Sequence, residues 1–206
     1  MEQLSLQEFN TRLASSAPTP GGGGVSALAA ALGAGLGRMV GSLTVGKKQY
    51  AANEEELLTL MSEAKELQDR ALALVNQDAE EFQKLMAAYA LPKDAIDRTE
   101  RIEAALISAA GAPMEVVRLC EREAELTERF ARLGSSLMLS DAGCAAALCA
   151  SAMKAAALNV CANTKLMRDR SAADEMNCKV KEALEKTIPL TEEIYNSVAE
   201  KLMMGN

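Results

Sequence analysis

The sequence predicts an all-α fold: a helical bundle with long helices, two of them central and rich in small residues. Three observations carry this reading. With three Phe, three Tyr and no Trp among 206 residues, the core falls to Leu, Ala, Met and Val, of which all but Val are good helix formers. Apolar residues recur three and four apart over long stretches, as in Met176, Val180, Leu184, Ile188, Ile194, Val198 and Leu202, the spacing of one helix face. No stretch alternates apolar and polar residues as a half-buried strand does, and no internal repeat is visible. At 49% hydrophobic and 25% charged residues the chain has enough apolar material for one domain over residues 1–206.

Each element has a local signature. Ser5 and Glu8 form a capping box ahead of Leu6, Phe9 and Leu13, so a short first helix ends near Ser15. Pro18 and Pro20 then hold the chain extended. The glycines of "PTPGGGGVSAL" lead into a helix from about Val25 to Thr44 whose Ala and Gly residues let neighbouring backbones come close. Gly46 suits its C-cap. Asn53, three residues before Glu56, opens a long helix that Pro92 ends, about 55 Å at 1.5 Å per residue. Two helices come next, about Ala95–Ala110 and Met114–Arg132, divided by the "GAP" at Gly111–Pro113, since Gly stops one and Pro opens the other. Residues 134–139 read as loop. Ser140 or Asp141 caps a second alanine-rich helix reaching about Thr164. A last helix spans about Ala172–Met203, with Pro189 a kink.

Charge and composition exclude several classes of function. A net charge of −7 opposes nucleic-acid binding, which needs a basic surface. Five cysteines without CxxC spacing suggest neither a disulfide framework nor a zinc site, and fit reduced thiols in a cytoplasm. The N-terminus lacks the basic and apolar regions of a secretory signal. One membrane-span candidate, Val25–Leu43, contains Arg38 and owes its apolar count to Gly and Ala, so no membrane role is expected. The chain has no histidine, so acid–base chemistry must use Asp, Glu, Lys, Tyr or Cys.

The residues out of place are few. In the long helix, Leu67, Ala71, Val75, Phe82, Leu85 and Tyr89 make an apolar stripe whose gap Asp78 fills. A carboxylate there either has its pKa raised toward proton-transfer range, or pairs with a Lys or Arg, or sits at the edge of a wide apolar face. Tyr89, three turns along the same face, would look into the same groove as Asp78 or simply pack. Lys47 and Lys48 in "GKKQY" either complement the preceding helix dipole or hold an anionic substrate group. Asn159 and Asn163, one turn apart on an alanine-rich helix, either bond to backbone or face a ligand. The glycines before a helix N-terminus are a possible anion cradle.

Together, "PTPGGGGVSAL", "SLTVGKKQY", "DAEEFQKLMAAYALP" and "SDAGCAAALCASAMKAAALNVCAN" resemble the cyclodeaminase/cyclohydrolase family of folate enzymes, over nearly the whole chain and in order. The chain departs from the family pattern at Gly24, where PGGGS is usual, at Cys144, usually hydrophobic, and in "GSSLMLSD", where asparagines are usual before Ser-Asp. The resemblance implies an all-α cytoplasmic homodimer acting on tetrahydrofolate one-carbon units without a metal. Its reaction is either cyclodeamination of 5-formimino-tetrahydrofolate or hydrolysis of 5,10-methenyl-tetrahydrofolate. On that resemblance Asp78, Lys47 and Lys48 are the candidate catalytic residues. Gly22, Gly23, Tyr50, Tyr89, Ser140, Asp141, Asn159 and Asn163 are candidates for binding the substrate, Asp141 also being a plain helix cap. The alternative is a noncatalytic helical dimerisation or scaffold protein.

Overall fold

The computed structural model describes residues 3–204 and is helical throughout, with no strand among them. Its helices are α1 (Leu6–Leu13), α2 (Gly22–Ser42), α3 (Glu54–Tyr89), α4 (Arg98–Leu133), α5 (Leu139–Thr164) and α6 (Arg170–Met203), with short 3-10 turns at Lys48–Asn53 and Ser136–Met138. The two small-residue helices lie at the centre: α2 packs on α5, α3 and α4, and α5 packs on α2, α4 and α6. Ala27, Ala30, Ala31, Ala152 and Ala156 are buried where α2 and α5 join the main core. Close approach needs small side chains: a Cβ on Gly33 would stand 3.3 Å from the Ala145 carbonyl of α5, and one on Gly37 3.0 Å from the Phe130 ring of α4.

The capping box at Ser5 and Glu8 forms as expected. The helix after the glycines begins three residues earlier than Val25 and ends at Ser42. Gly46 lies beyond the cap at Leu43, in a turn whose φ of +82° suits a residue without a side chain. Asn53 precedes α3 but makes no cap. Its side-chain amide instead donates to the Leu133 carbonyl at 3.1 Å, tying the start of α3 to the end of α4. Three charged contacts, Arg70–Glu115, Arg122–Glu63 and Arg129–Glu56, run between α3 and α4. Each adds little on an exposed surface, but together they fix the register of two long helices.

Two expectations need correction. The "GAP" does not separate two helices: α4 runs unbroken through Pro113 for 36 residues. Ala112, Pro113 and Met114 are all buried, so packing overrides the local preference. Neither Ser140 nor Asp141 caps α5. The 3-10 turn at Ser136–Met138 runs into the helix with Met138 at the cap position, which leaves both residues inside the first turn. There Asp141 still sits favourably against the helix dipole. The last helix starts at Arg170, capped by Asp169 accepting from the Ala172 N–H, and continues through Pro189. A second segment, Ser136–Thr164, joins α2 in being long and apolar enough to cross a membrane, because its charges are diluted among alanines. These are the same two helices whose small-residue faces fill the centre of the bundle.

Candidate active site

α2 and α5 run antiparallel, so the glycine-rich start of α2 meets the end of α5. The chain enters α2 through Pro18, Thr19 and a cis Thr19–Pro20 bond. Arg12 on α1 holds this connector, its Nε donating to the Thr19 carbonyl at 2.9 Å. The connector, the first turn of α2, the middle of α3 and the end of α5 enclose a cleft of about 190 Å³ lined by Thr19, Gly22, Gly23, Asp78, Phe82 and Asn163, with Asn159 and Ala109 beside them.

Asp78 projects from α3 onto the glycines. A Cβ on Gly23 would fall 2.0 Å from its Oδ1 and 2.5 Å from its Cγ, so the missing side chain is the space the carboxylate occupies. Burial raises its pKa, and the Gly24 N–H, donating to it, partly offsets the rise; no neighbouring charge contributes. The paired-carboxylate alternative therefore does not hold. Asp78 is a half-buried acid whose carboxyl burial pushes up from its ordinary value, with one backbone donor to steady it.

The two asparagines use their amide hydrogens on backbone. Asn159 Nδ2 donates to the Ala155 carbonyl at 2.8 Å, and Asn163 Nδ2 donates to the Asn159 carbonyl at 2.9 Å. Asn163 also makes a long contact, 3.5 Å, to the Ala109 carbonyl. Pro113 explains why that carbonyl is free: it stands four residues on in α4 and has no N–H to offer. The proline that failed to break the helix releases an acceptor that orients a cleft residue. Both asparagines, anchored in this way, line the cleft.

The structure gathers Gly22, Gly23, Asp78, Asn159 and Asn163 and leaves the other candidates elsewhere. Tyr89 does not share the groove. It packs with Leu85 and Leu106, and the Arg98 side chain donates to its backbone carbonyl, because eleven residues carry it about 16 Å along α3, past the end of the cleft. Lys47, Lys48, Tyr50, Ser140 and Asp141 lie at the opposite end of α2 and α5. The 21 residues of α2 separate the groups by about 30 Å. The far group is ordered too. Tyr50 Oη accepts from the Ser136 N–H at 3.1 Å, and Thr44 Oγ1 accepts from the Ser135 N–H at 2.8 Å. Donors from Ser136 and Ser135 lower the Tyr50 pKa to about 8. Sequence reasoning missed Thr19 and Ala109, whose backbone carbonyls are engaged beside the cleft, and Arg12, whose side chain holds the Thr19 carbonyl.

Comparison with known proteins agrees with this arrangement. The profile of the formiminotransferase-cyclodeaminase family matches residues 5–182. The chain belongs to that family. It is 36% identical over 202 residues to the methenyltetrahydrofolate cyclohydrolase of Methylorubrum extorquens, covering 96% of this chain and 97% of that protein. It is 29% identical over 169 residues to the formimidoyltransferase-cyclodeaminase of Rattus norvegicus, covering 80% of this chain and 31% of the rat protein. The crystal structure of formiminotetrahydrofolate cyclodeaminase from Thermotoga maritima superposes with a TM-score of 0.84 at 32% identity, over 97% of this chain and 96% of that one. The helical architecture expected for a formiminotransferase-cyclodeaminase family member is the one found.

Proposed function

We propose that the protein is a tetrahydrofolate one-carbon enzyme that hydrolyses 5,10-methenyl-tetrahydrofolate to 10-formyl-tetrahydrofolate. The observation that carries the proposal is Asp78, a half-buried carboxylate against the glycines that open α2, facing a cleft lined by two asparagines. The methenyl group is an amidinium-type cation, which a carboxylate favours electrostatically. Water attacks its carbon while Asp78 takes one water proton, giving a carbinolamine. Asp78 returns that proton to N5 as the C–N5 bond breaks, and the remaining hydroxyl proton leaves as the formyl C=O forms. The balance is one water consumed and one proton released, and no metal enters the step. The Asn159 and Asn163 oxygens accept hydrogen bonds from the pterin. The solved Thermotoga relative favours a second reading, cyclodeamination, in which N10 attacks a formimino carbon and ammonia departs through the same proton transfers. One assay separates them: decay of methenyl absorbance with no ammonia released supports the first reading, ammonia release from the formimino substrate the second. Neither signal leaves the scaffold alternative.

The reading includes a homodimer in a reducing cytoplasm, with a site shared by two chains. Three features support the pairing. The outer faces of α2 and α5 form one apolar surface: Leu32 and Leu158 are 52% and 72% exposed, with Met39 and Leu43 beside them. The cleft is smaller than the roughly 300–1,000 Å³ usual for drug-sized ligands, so a folate needs a further wall. The candidate residues form two groups at opposite ends of this same face. A twofold axis lying in the face and crossing α2 at Gly35–Leu36 sets each α2 antiparallel to its copy, bringing Lys48 of the partner subunit opposite Gly23. The partner's Lys47 and Lys48 then assist Asp78 in protonating the departing nitrogen, or hold the glutamate tail. Complementation tests it. Mixing Asp78→Asn chains with chains carrying Lys47→Ala and Lys48→Ala creates heterodimers with one intact site, restoring about a quarter of wild-type activity on statistical pairing. No recovery above the two parents refutes the shared site.

A further inference from the structure

The core holds a polar cluster that the cleft does not use. Cys120 and Glu123 lie one turn apart on α4, and Cys149 faces them from α5. Their two sulfurs and a Glu123 oxygen lie within 4.8 Å of one another, and all three residues are buried. Glu123 is only 2% exposed and its Oε1 has no hydrogen-bond partner. Gly33 of α2 makes room for it, since a Cβ there would meet Oε1 at 2.1 Å. Cys149 Sγ lies 3.2 Å from the Cys120 carbonyl, and the surroundings, Ala124, Ala152 and Ala156, are apolar. An unpartnered carboxyl in such a place is costly. Every donor in the cluster can instead be a metal ligand.

We propose that Cys120, Cys149 and Glu123 form an internal site for a thiophilic divalent cation of the zinc type, which clamps α4 to α5. Two sulfurs and one oxygen select zinc, cadmium or cobalt over magnesium or calcium. A tetrahedral ion with sulfur at about 2.3 Å holds its donors roughly 3.5–4 Å apart, so binding draws the cluster in by up to about 1 Å. On binding, two S–H bonds and one O–H bond give way to two metal–sulfur bonds and one metal–oxygen bond. Three protons pass to solvent and no electron moves. Loading accompanies folding, because the site is closed in the folded bundle. The ion takes no part in the folate chemistry: Gly33 is ten residues along α2 from Gly23, about 15 Å.

The test uses a chain with the exposed thiols removed (Cys144→Ser, Cys161→Ser, Cys178→Ser), refolded with cadmium or cobalt alone as probe. One cadmium per chain with a thiolate-to-metal charge-transfer band, and cobalt bands of tetrahedral intensity, support the site. Cys149→Ala, small enough for that alanine-lined core, abolishes the band. Glu123→Gln weakens binding at least about tenfold. Recovery of native circular dichroism without metal uptake overturns the proposal, as does a band that survives Cys149→Ala. If the triple variant does not refold, cadmium refolding of wild-type chains alkylated at the exposed thiols reads the same band, and its absence is equally decisive.

Discussion

Replacing Gly23 by alanine separates the position of Asp78 from the stability of the fold. The new Cβ would sit 2.0, 2.5 and 2.8 Å from the Asp78 Oδ1, Cγ and Oδ2. Ordinary contact is about 3.4 Å or more, so the carboxylate must retreat by more than about 1 Å. At the next position a Cβ on Gly24 would meet Val75 and Asp78 only at an ordinary 3.7 Å, so the clash is confined to Gly23. A short side chain next to a cleft moves at low cost, and alanine suits a helix better than glycine. The melting temperature of Gly23→Ala is therefore unchanged or higher. A misplacement of that size costs about 100-fold in turnover. The assay is the initial rate of methenyl absorbance decay at saturating substrate, alongside thermal unfolding by circular dichroism. Gly111→Ala serves as control, since a Cβ there meets nothing; it leaves the rate unchanged. A Gly23→Ala enzyme within about threefold of wild type in kcat, or one whose loss lies wholly in unfolding, refutes the placement of Asp78.

Other outcomes rest on the same structure. Asp78→Asn retains the fold and loses at least about 100-fold in kcat, as removal of an acid–base group usually does; a smaller loss removes Asp78 from the chemistry. Glu123 has a pKa raised well above its ordinary value by burial, so it stays protonated in the fold while its unfolded counterpart ionises. Its contribution is fully present below about pH 4.3 and is lost as pH rises toward the folded value, by about 1.4 kcal/mol per pH unit. In metal-free protein, urea unfolding of Glu123→Gln then shows a stability advantage at pH 8 that shrinks toward pH 5; an advantage independent of pH contradicts the neutral buried acid. Gly134→Ala destabilises by about 1–3 kcal/mol, because its Cβ would meet the Phe130 carbonyl at 2.6 Å and a Val40 methyl at 2.4 Å, and denaturant midpoints measure it.

Much of the bundle was legible because helix periodicity and caps are local. The capping box at Ser5, the length of α3 and the two alanine-rich central helices all come from short-range rules. Pro113 misled because its neighbours are buried, and burial is not written in three residues. Asp78 was legible as a carboxylate interrupting an apolar stripe, and its glycine partner could be suspected from a run of residues without side chains. Glu123 was not: within "CEREAELTER" it is one acid among several on what reads as a solvated face, and only the turn of α4 toward Gly33 buries it. Lys47 and Lys48 were joined to Asp78 by resemblance alone. Sequence order does not say that α2 carries them about 30 Å from it within one chain.

The Ala109 carbonyl, released by Pro113 and turned toward Asn163, bears on any attempt to harden this protein against heat. Pro113→Ala would close the missing link in α4, and a screen scoring survival at high temperature would reward it along with Gly23→Ala. Each gain in robustness would be drawn from the residues that aim at the cleft. Variants improved for shelf life therefore need selection on turnover as well, or they will keep their shape and forfeit their chemistry.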